Sequence, residues 1–139
     1  MEIVFELDDI QNTAKKFLQI TKGFIVFAFQ GELGAGKTTF ISSLCKEMEI
    51  DETVTSPTFS IIQEYVGRDE KIVYHIDLYR IKSSEEAMNA GIEDCINSGE
   101  ICMIEWPEKA PEILPADTVF STFEIVSANK RKLVIQLPR

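Results

Sequence analysis

Apolar and polar positions along this chain alternate in a strand-like rhythm, pass to a helix-like one, and return. Residues 1–7, MEIVFEL, read as a short strand. In the stretch that follows, DIQNTAKKFLQI, the residues Ile10, Ala14, Phe17 and Leu18 fall on one helical face, while Lys15, Lys16 and Gln19 take the solvent side. Asp8 is the expected N-cap of that helix, and Gly23 ends the unit. Residues 24–29, FIVFAF, are apolar without interruption and β-prone, which suits a strand covered on both faces. A glycine-rich turn and a second helix, KTTFISSLCKEMEI, come next.

Beyond Asp51 a connection rich in Thr, Ser and Pro, TVTSPTF, leads into SIIQEYV, a turn at Gly67 to Glu70, and KIVYHIDLY, which together read as a hairpin. Ser83 and Glu86 stand at capping-box spacing, so residues 83–97 are expected to be mostly helical. ICMIEW is the next buried strand, and Pro107, Pro111 and Pro115 punctuate the segment after it. The end of the chain reads as an antiparallel hairpin, TVFSTFEIV and KLVIQL around SANKR. The expectation is an α/β fold in which helices flank a mixed β-sheet and a C-terminal β-hairpin closes the chain. Residues 1–139 are read as one domain, with 45% hydrophobic residues to fill its core.

Charge narrows the functional classes. Fourteen Lys and Arg against 23 Asp and Glu give a formal charge of −9, so the surface should repel another polyanion. The densest basic cluster, Lys130, Arg131 and Lys132, is small for a nucleic-acid footprint, so any work on RNA is expected to pass through a partner. The apolar run from Phe24 to Phe29 falls well short of the ~20 residues of a membrane span, and no secretory leader precedes it. The expectation is a soluble cytoplasmic protein. Cys45, Cys95 and Cys102 form neither an even set nor a C-x-x-C, and are read as buried thiols.

GELGAGKT, Gly31 to Thr38, matches the P-loop pattern G-x-x-x-x-G-K-[ST] between a buried strand and a helix, the context that gives it meaning. Glycines let successive backbone N–H groups turn around an anion, and the helix N-terminus adds its partial positive charge. The candidate nucleotide contacts are therefore Glu32, Leu33, Gly34, Ala35, Gly36, Lys37, Thr38 and Thr39, with the Glu32 side chain read as facing solvent. Lys37 supplies a point charge between the terminal phosphates, and the Thr38 hydroxyl is placed for magnesium. Hydrolysis further needs an acid at the end of a nearby strand. Asp77 ends one apolar strand and Glu105 another, and either can hold the metal or orient water. Glu105 is assigned first to the metal and Asp77 to the water or to support, although spacing does not rank them.

Taken together, GELGAGKTT, SPTFSIIQEY, YHIDLYR and IEWPEKAPEILP resemble, in this order, the TsaE family over roughly residues 5–135. That resemblance implies the P-loop nucleoside triphosphate hydrolase fold and an ATPase of tRNA threonylcarbamoyladenosine synthesis. It implies assembly with TsaB and TsaD, the latter transferring the threonylcarbamoyl group to adenosine 37 of tRNA. It places phosphates on the Gly34 to Thr39 loop, magnesium on Thr38 and Glu105, and an essential acid at Asp77. It makes TSPTF a switch segment in which Ser56 or Thr58 approaches the γ-phosphate, with an ordinary connection turning at Pro57 as the alternative. It sets Arg131 near the adenine. With only four arginines, Arg68, Arg80, Arg131 and Arg139, no internal arginine finger is evident, and slow hydrolysis accelerated by a partner is expected. His75 is read as a hydrogen-bonded structural histidine, with assistance to the site as the alternative. Tyr79 is read as packing or interface, and the role of Trp106 is open. The rival readings are a nucleotide-gated adaptor whose hydrolysis is incidental, a GTPase, which would need an N-K-x-D signature where this chain has Asn129, Lys130, Arg131 and Lys132, and a small-molecule kinase, which would need an arginine-rich lid. Oligomeric state is left open.

Overall fold

The strand signals of the sequence become, in the computed structural model, β1 (Glu2–Glu6), β2 (Val26–Gln30), β3 (Ile62–Val66), β4 (Ile72–Asp77), β5 (Ile101–Glu105), β6 (Val119–Ser127) and β7 (Lys130–Gln136). The helices are α1 (Ile10–Ile20), α2 (Lys37–Glu47) and the short α3 (Ile92–Ile96). The structure describes residues 1–50, 61–83, 85–86 and 91–138. Ser56, Pro57 and Thr58, the expected switch segment, lie outside the described residues.

All seven described strands join one sheet in the order β1-β7-β6-β2-β5-β4-β3. The central strand β2 runs parallel to β5 and to β6, and β4 runs parallel to β5. Antiparallel strands finish both sides: β3 on β4, and the β6–β7 hairpin with β1 on β7. Because β2, β4 and β5 point the same way, their carboxyl ends open on one edge of the sheet, where open α/β sheets place their ligands.

Alternation along β2 sends its side chains to two cores, as expected of a strand buried on both faces. Phe27 and Phe29 join Phe17 of α1, Phe40 of α2 and Phe123 of β6 on one face. Val26 joins Ile76, Ile104, Ile92 and Ile96 on the other. The Phe40 ring is fully buried, 5.3 Å from the rings of Phe17 and Phe123 in edge-on contact. Such pairs add about 0.5–1.5 kcal/mol each beyond burial. They fasten α2, whose first turn carries Lys37 and Thr38. Gln11 of α1 ties the two helices further, donating to the Ser43 carbonyl at 2.9 Å and to Glu47 Oε1 at 2.7 Å.

Two local expectations need correction. Asp8 does not cap α1: it lies inside a 3₁₀ turn, Leu7–Asp9, and the helix starts at Ile10 with Asp9 in the capping position. The second helix stops at Glu47, and Glu49 takes a left-handed φ of 61° that releases the chain. Of residues 83–97, expected to be mostly helical, Glu85, Glu86 and Ile92–Ile96 are helical, with a break at Gly91. The Glu86 amide donates to Ser83 Oγ at 3.2 Å, half of a capping box, but the Glu86 carboxylate accepts from the Lys82 amide at 3.1 Å. Gly91, with φ 84°, then opens α3 as a separate element.

Candidate functional site

The loop after β2 begins at Gly31, where backbones approach closely. A Cβ there would lie 3.0 Å from the Phe123 carbonyl oxygen and 3.1 Å from Phe123 Cβ on β6, so only glycine fits without moving that strand. Gly36 caps α2 with φ 105°, a left-handed turn that aims the first helical amides back over the loop. Glu32, Leu33, Gly34 and Thr39 are exposed, whereas Ala35 and Lys37 are buried.

Lys37 is 5% exposed. Its ammonium donates to the Gly31 carbonyl and lies 3.4 Å from the centre of the Trp106 ring, a cation–π contact. Burial lowers its pKa from the ordinary 10.5, and the carboxylates of Glu105, Glu108 and Asp77 pull it partly back. No carboxylate among the described residues is within ion-pair distance of this ammonium. Trp106 adopts a left-handed backbone, φ 58° and ψ 50°, a conformation costing a non-glycine residue about 1–3 kcal/mol. Its ring packs on Tyr79 at 4.9 Å. These aromatics, with Gly31, Leu33, Glu108 and Thr122, border a cavity of about 550 Å³ beside the loop.

The two strand-end acids meet at the mouth of the loop. Asp77 and Glu105 are register partners on parallel strands, and Glu105 also pairs with Phe29 on β2. The Thr38 hydroxyl faces both Glu105 oxygens at 3.1 Å, joining positions 67 residues apart. Asp77 is half-buried and its Oδ1 accepts from the Tyr79 amide at 2.9 Å, which orients the carboxylate at the strand end. His75 is fully buried, its Nε2 2.6 Å from Glu105 Oε2 and its Nδ1 3.2 Å from the Tyr65 hydroxyl. Against an ionised Glu105, which can only accept, Nε2 is the donor of this pair.

Arg131 reaches the loop from the opposite side. Its Nε donates to the Ala35 carbonyl at 3.1 Å and Nη2 to the Gly34 carbonyl at 3.4 Å. Nη1 donates to Ser127 O at 2.7 Å and Lys130 O at 3.1 Å in the β6–β7 turn. The guanidinium thus buttons the loop to the hairpin.

Sequence reading missed three of these links: Lys37 with Trp106, Arg131 with the loop carbonyls, and Tyr65 with His75 and Glu105. Only the spacing of His75 and Asp77 by two hinted at the last, and using it required knowing that β4 lies beside β5.

These donors suit a magnesium–nucleotide pair. Thr38 and Glu105 offer hard oxygen ligands, and no group of three or more His, Cys, Asp or Glu suited to a metal occurs among the described residues. Magnesium fits such a sparse site because it takes one or two protein ligands and completes its shell with phosphate and water. No helix among the described residues is long and apolar enough to cross a membrane. All three thiols are free, Cys45 and Cys102 being pushed up to about 12 by burial.

A glycine-gated loop between the central parallel strand and a helix, with strand-end acids at its mouth, defines an α/β protein of the P-loop class. Bacillus subtilis YdiB, a solved structure, shares this fold: it superposes with a TM-score of 0.71 at 24% identity, over 100% of this chain and 87% of that one. The sequence model of threonylcarbamoyl adenosine biosynthesis protein TsaE matches residues 5–133, and the chain belongs to the TsaE family. Relatives carrying the name tRNA threonylcarbamoyladenosine biosynthesis protein TsaE include one from Treponema pallidum, 36% identical over 79% of this chain and 80% of the relative. Another, from Borreliella burgdorferi, is 38% identical over 84% of this chain and 90% of the relative.

Proposed function

We propose that this chain is the magnesium-dependent ATPase subunit of tRNA threonylcarbamoyladenosine synthesis, working in the cytoplasm with TsaB and TsaD and reaching tRNA only through them. The observation that carries this reading is the Thr38 hydroxyl facing the Glu105 carboxylate at the root of the loop, with Asp77 in register beside it. The family membership supplies the pathway.

In this reading the amides of residues 32–39 and the α2 N-terminus wrap the phosphates. Lys37 exchanges the Gly31 carbonyl and the Trp106 ring for phosphate oxygens, and Thr38 turns its hydroxyl from Glu105 toward the metal site. Thr38 and Glu105 would hold magnesium, which would offset the charge that builds on the phosphate oxygens. Asp77, half-buried at the strand end and oriented by the Tyr79 amide, accepts a hydrogen bond from the attacking water. Arg131 is committed to backbone carbonyls, so it does not serve as a finger on the γ-phosphate. Such a finger is worth ~10³ to 10⁵ in rate, and slow turnover by the isolated chain follows.

The test is phosphate release by the purified chain, alone and with TsaB and TsaD, repeated with Lys37→Ala. Weak release that the pair stimulates at least ~10-fold, and that the variant abolishes, is the expected result. Absence of stimulation removes the assignment as a working subunit, and release surviving in Lys37→Ala removes the site.

A further inference from the structure

Glu105 is held from two directions. Thr38 faces its carboxylate from the loop, and His75 donates to Oε2 from inside the sheet across 2.6 Å. The histidine is itself fixed. Its ring is 0% exposed, and its Nδ1 is 3.2 Å from the hydroxyl of Tyr65, which is 1% exposed and bonded to Gln63 Oε1 at 3.0 Å. This chain of contacts runs across three neighbouring strands, β3, β4 and β5, and ends on Oε2, whereas Oε1 has the Thr38 hydroxyl at 3.1 Å and no contact with the histidine among the described residues. A histidine buried only for packing has no need of a 2.6 Å bond to an acid at the mouth of the loop. The acid, in turn, is 3% exposed and would be costly to bury as a free charge.

We propose that His75 is a positioning residue for the divalent cation: by occupying Glu105 Oε2, and being locked by Tyr65, it leaves Oε1 as the oxygen presented to the cation beside Thr38. This rests on the proposed nucleotide site. It assigns the one histidine a part in metal affinity rather than in nucleotide affinity as such, because among the described residues its hydrogen-bond partners are Tyr65 and Glu105 rather than the loop. Partners that orient a metal-ligating group typically set 10- to 100-fold of metal affinity.

The test measures binding of a non-hydrolysable fluorescent ATP analogue in EDTA and across a magnesium titration, for the wild type, His75→Phe, His75→Gln and Tyr65→Phe. His75→Phe should bind as the wild type does in EDTA but need roughly 10-fold or more magnesium for half-maximal gain. His75→Gln, whose amide reaches toward Glu105, should recover most of the difference, and Tyr65→Phe, which keeps its ring in the core, should show a smaller shift in the same direction. An independent readout covers a His75→Phe chain that fails to fold. His75 is the sole histidine, so its Nε2 gives one nitrogen signal, which should move when magnesium joins the wild-type nucleotide complex. Wild-type magnesium dependence in His75→Phe or Tyr65→Phe, equal losses with and without magnesium, or an unmoved Nε2 signal each overturns the inference alone. A wild-type chain that binds no nucleotide overturns the functional reading and this inference with it.

Discussion

Lys37 is a buried cation whose partners are a carbonyl and an aromatic face. Desolvation lowers its pKa below 10.5, so the protonated side chain opposes folding, and that penalty is relieved as pH rises from the lowered value toward 10.5. A triphosphate reverses the balance by favouring the ammonium. Binding should therefore take up a proton at alkaline pH and none at neutral pH, a difference read by calorimetry in buffers of unequal ionisation enthalpy. Equal proton release or uptake at both would show that Lys37 keeps its charge throughout. At this scale the sequence was largely legible: Lys37, Thr38, Asp77 and Glu105 all announce themselves by residue type and by position at a strand end or a loop. His75 and Trp106 do not, because a histidine inside a strand and a tryptophan after it read equally well as core. What distinguishes them is the company they keep, Glu105 at 2.6 Å and the Lys37 ammonium at 3.4 Å.

Among elements, β2 and α2 were legible because each is contiguous. An apolar run, a glycine-rich turn and a helical stretch with Phe40, Ile41 and Leu44 facing inward need no outside information. The fit of the loop to its surroundings was not legible. The carbonyls of Gly34 and Ala35 are held by Arg131, 97 and 96 residues further on, through a planar fork that a lysine cannot reproduce. Arg131→Lys should lose about 2 kcal/mol of stability, since a hydrogen bond to a charged group contributes about 1.5–3 kcal/mol and a lysine keeps some of the set. The melting midpoint should fall by roughly 5–8 °C. Nucleotide affinity should drop as well, because a loosened loop must be ordered on binding. An unchanged melting curve with unchanged affinity would mean that the loop is rigid without its buttress. Helix boundaries were the other misreadings: Asp8 lies in a 3₁₀ turn, and the second helix stops at Glu47.

Across the whole molecule, the surplus of nine negative charges opposes direct binding of a polyanion such as RNA. The basic cluster at Lys130 to Lys132 is largely used internally: Arg131 is buried against the loop, and Lys132 pairs with Glu2 at 3.4 Å and Glu124 at 3.8 Å. Isolated chain should show no retention of tRNA in a gel-shift assay at physiological salt, whereas the assembly with its partners should. Retention by the chain alone, weakened by salt in the manner of phosphate contacts, would contradict an indirect role. The sequence by itself determined the class of site, since a phosphate cradle is a local object made from consecutive amides, one lysine and one hydroxyl. Only the tertiary structure decided which acid stands before Thr38, that His75 holds that acid, and which arginine braces the loop. Those choices depend on strand order, β5 beside β2 and β4 beside β5, and adjacency in a sheet follows from packing of the whole chain rather than from the spacing of residues along it.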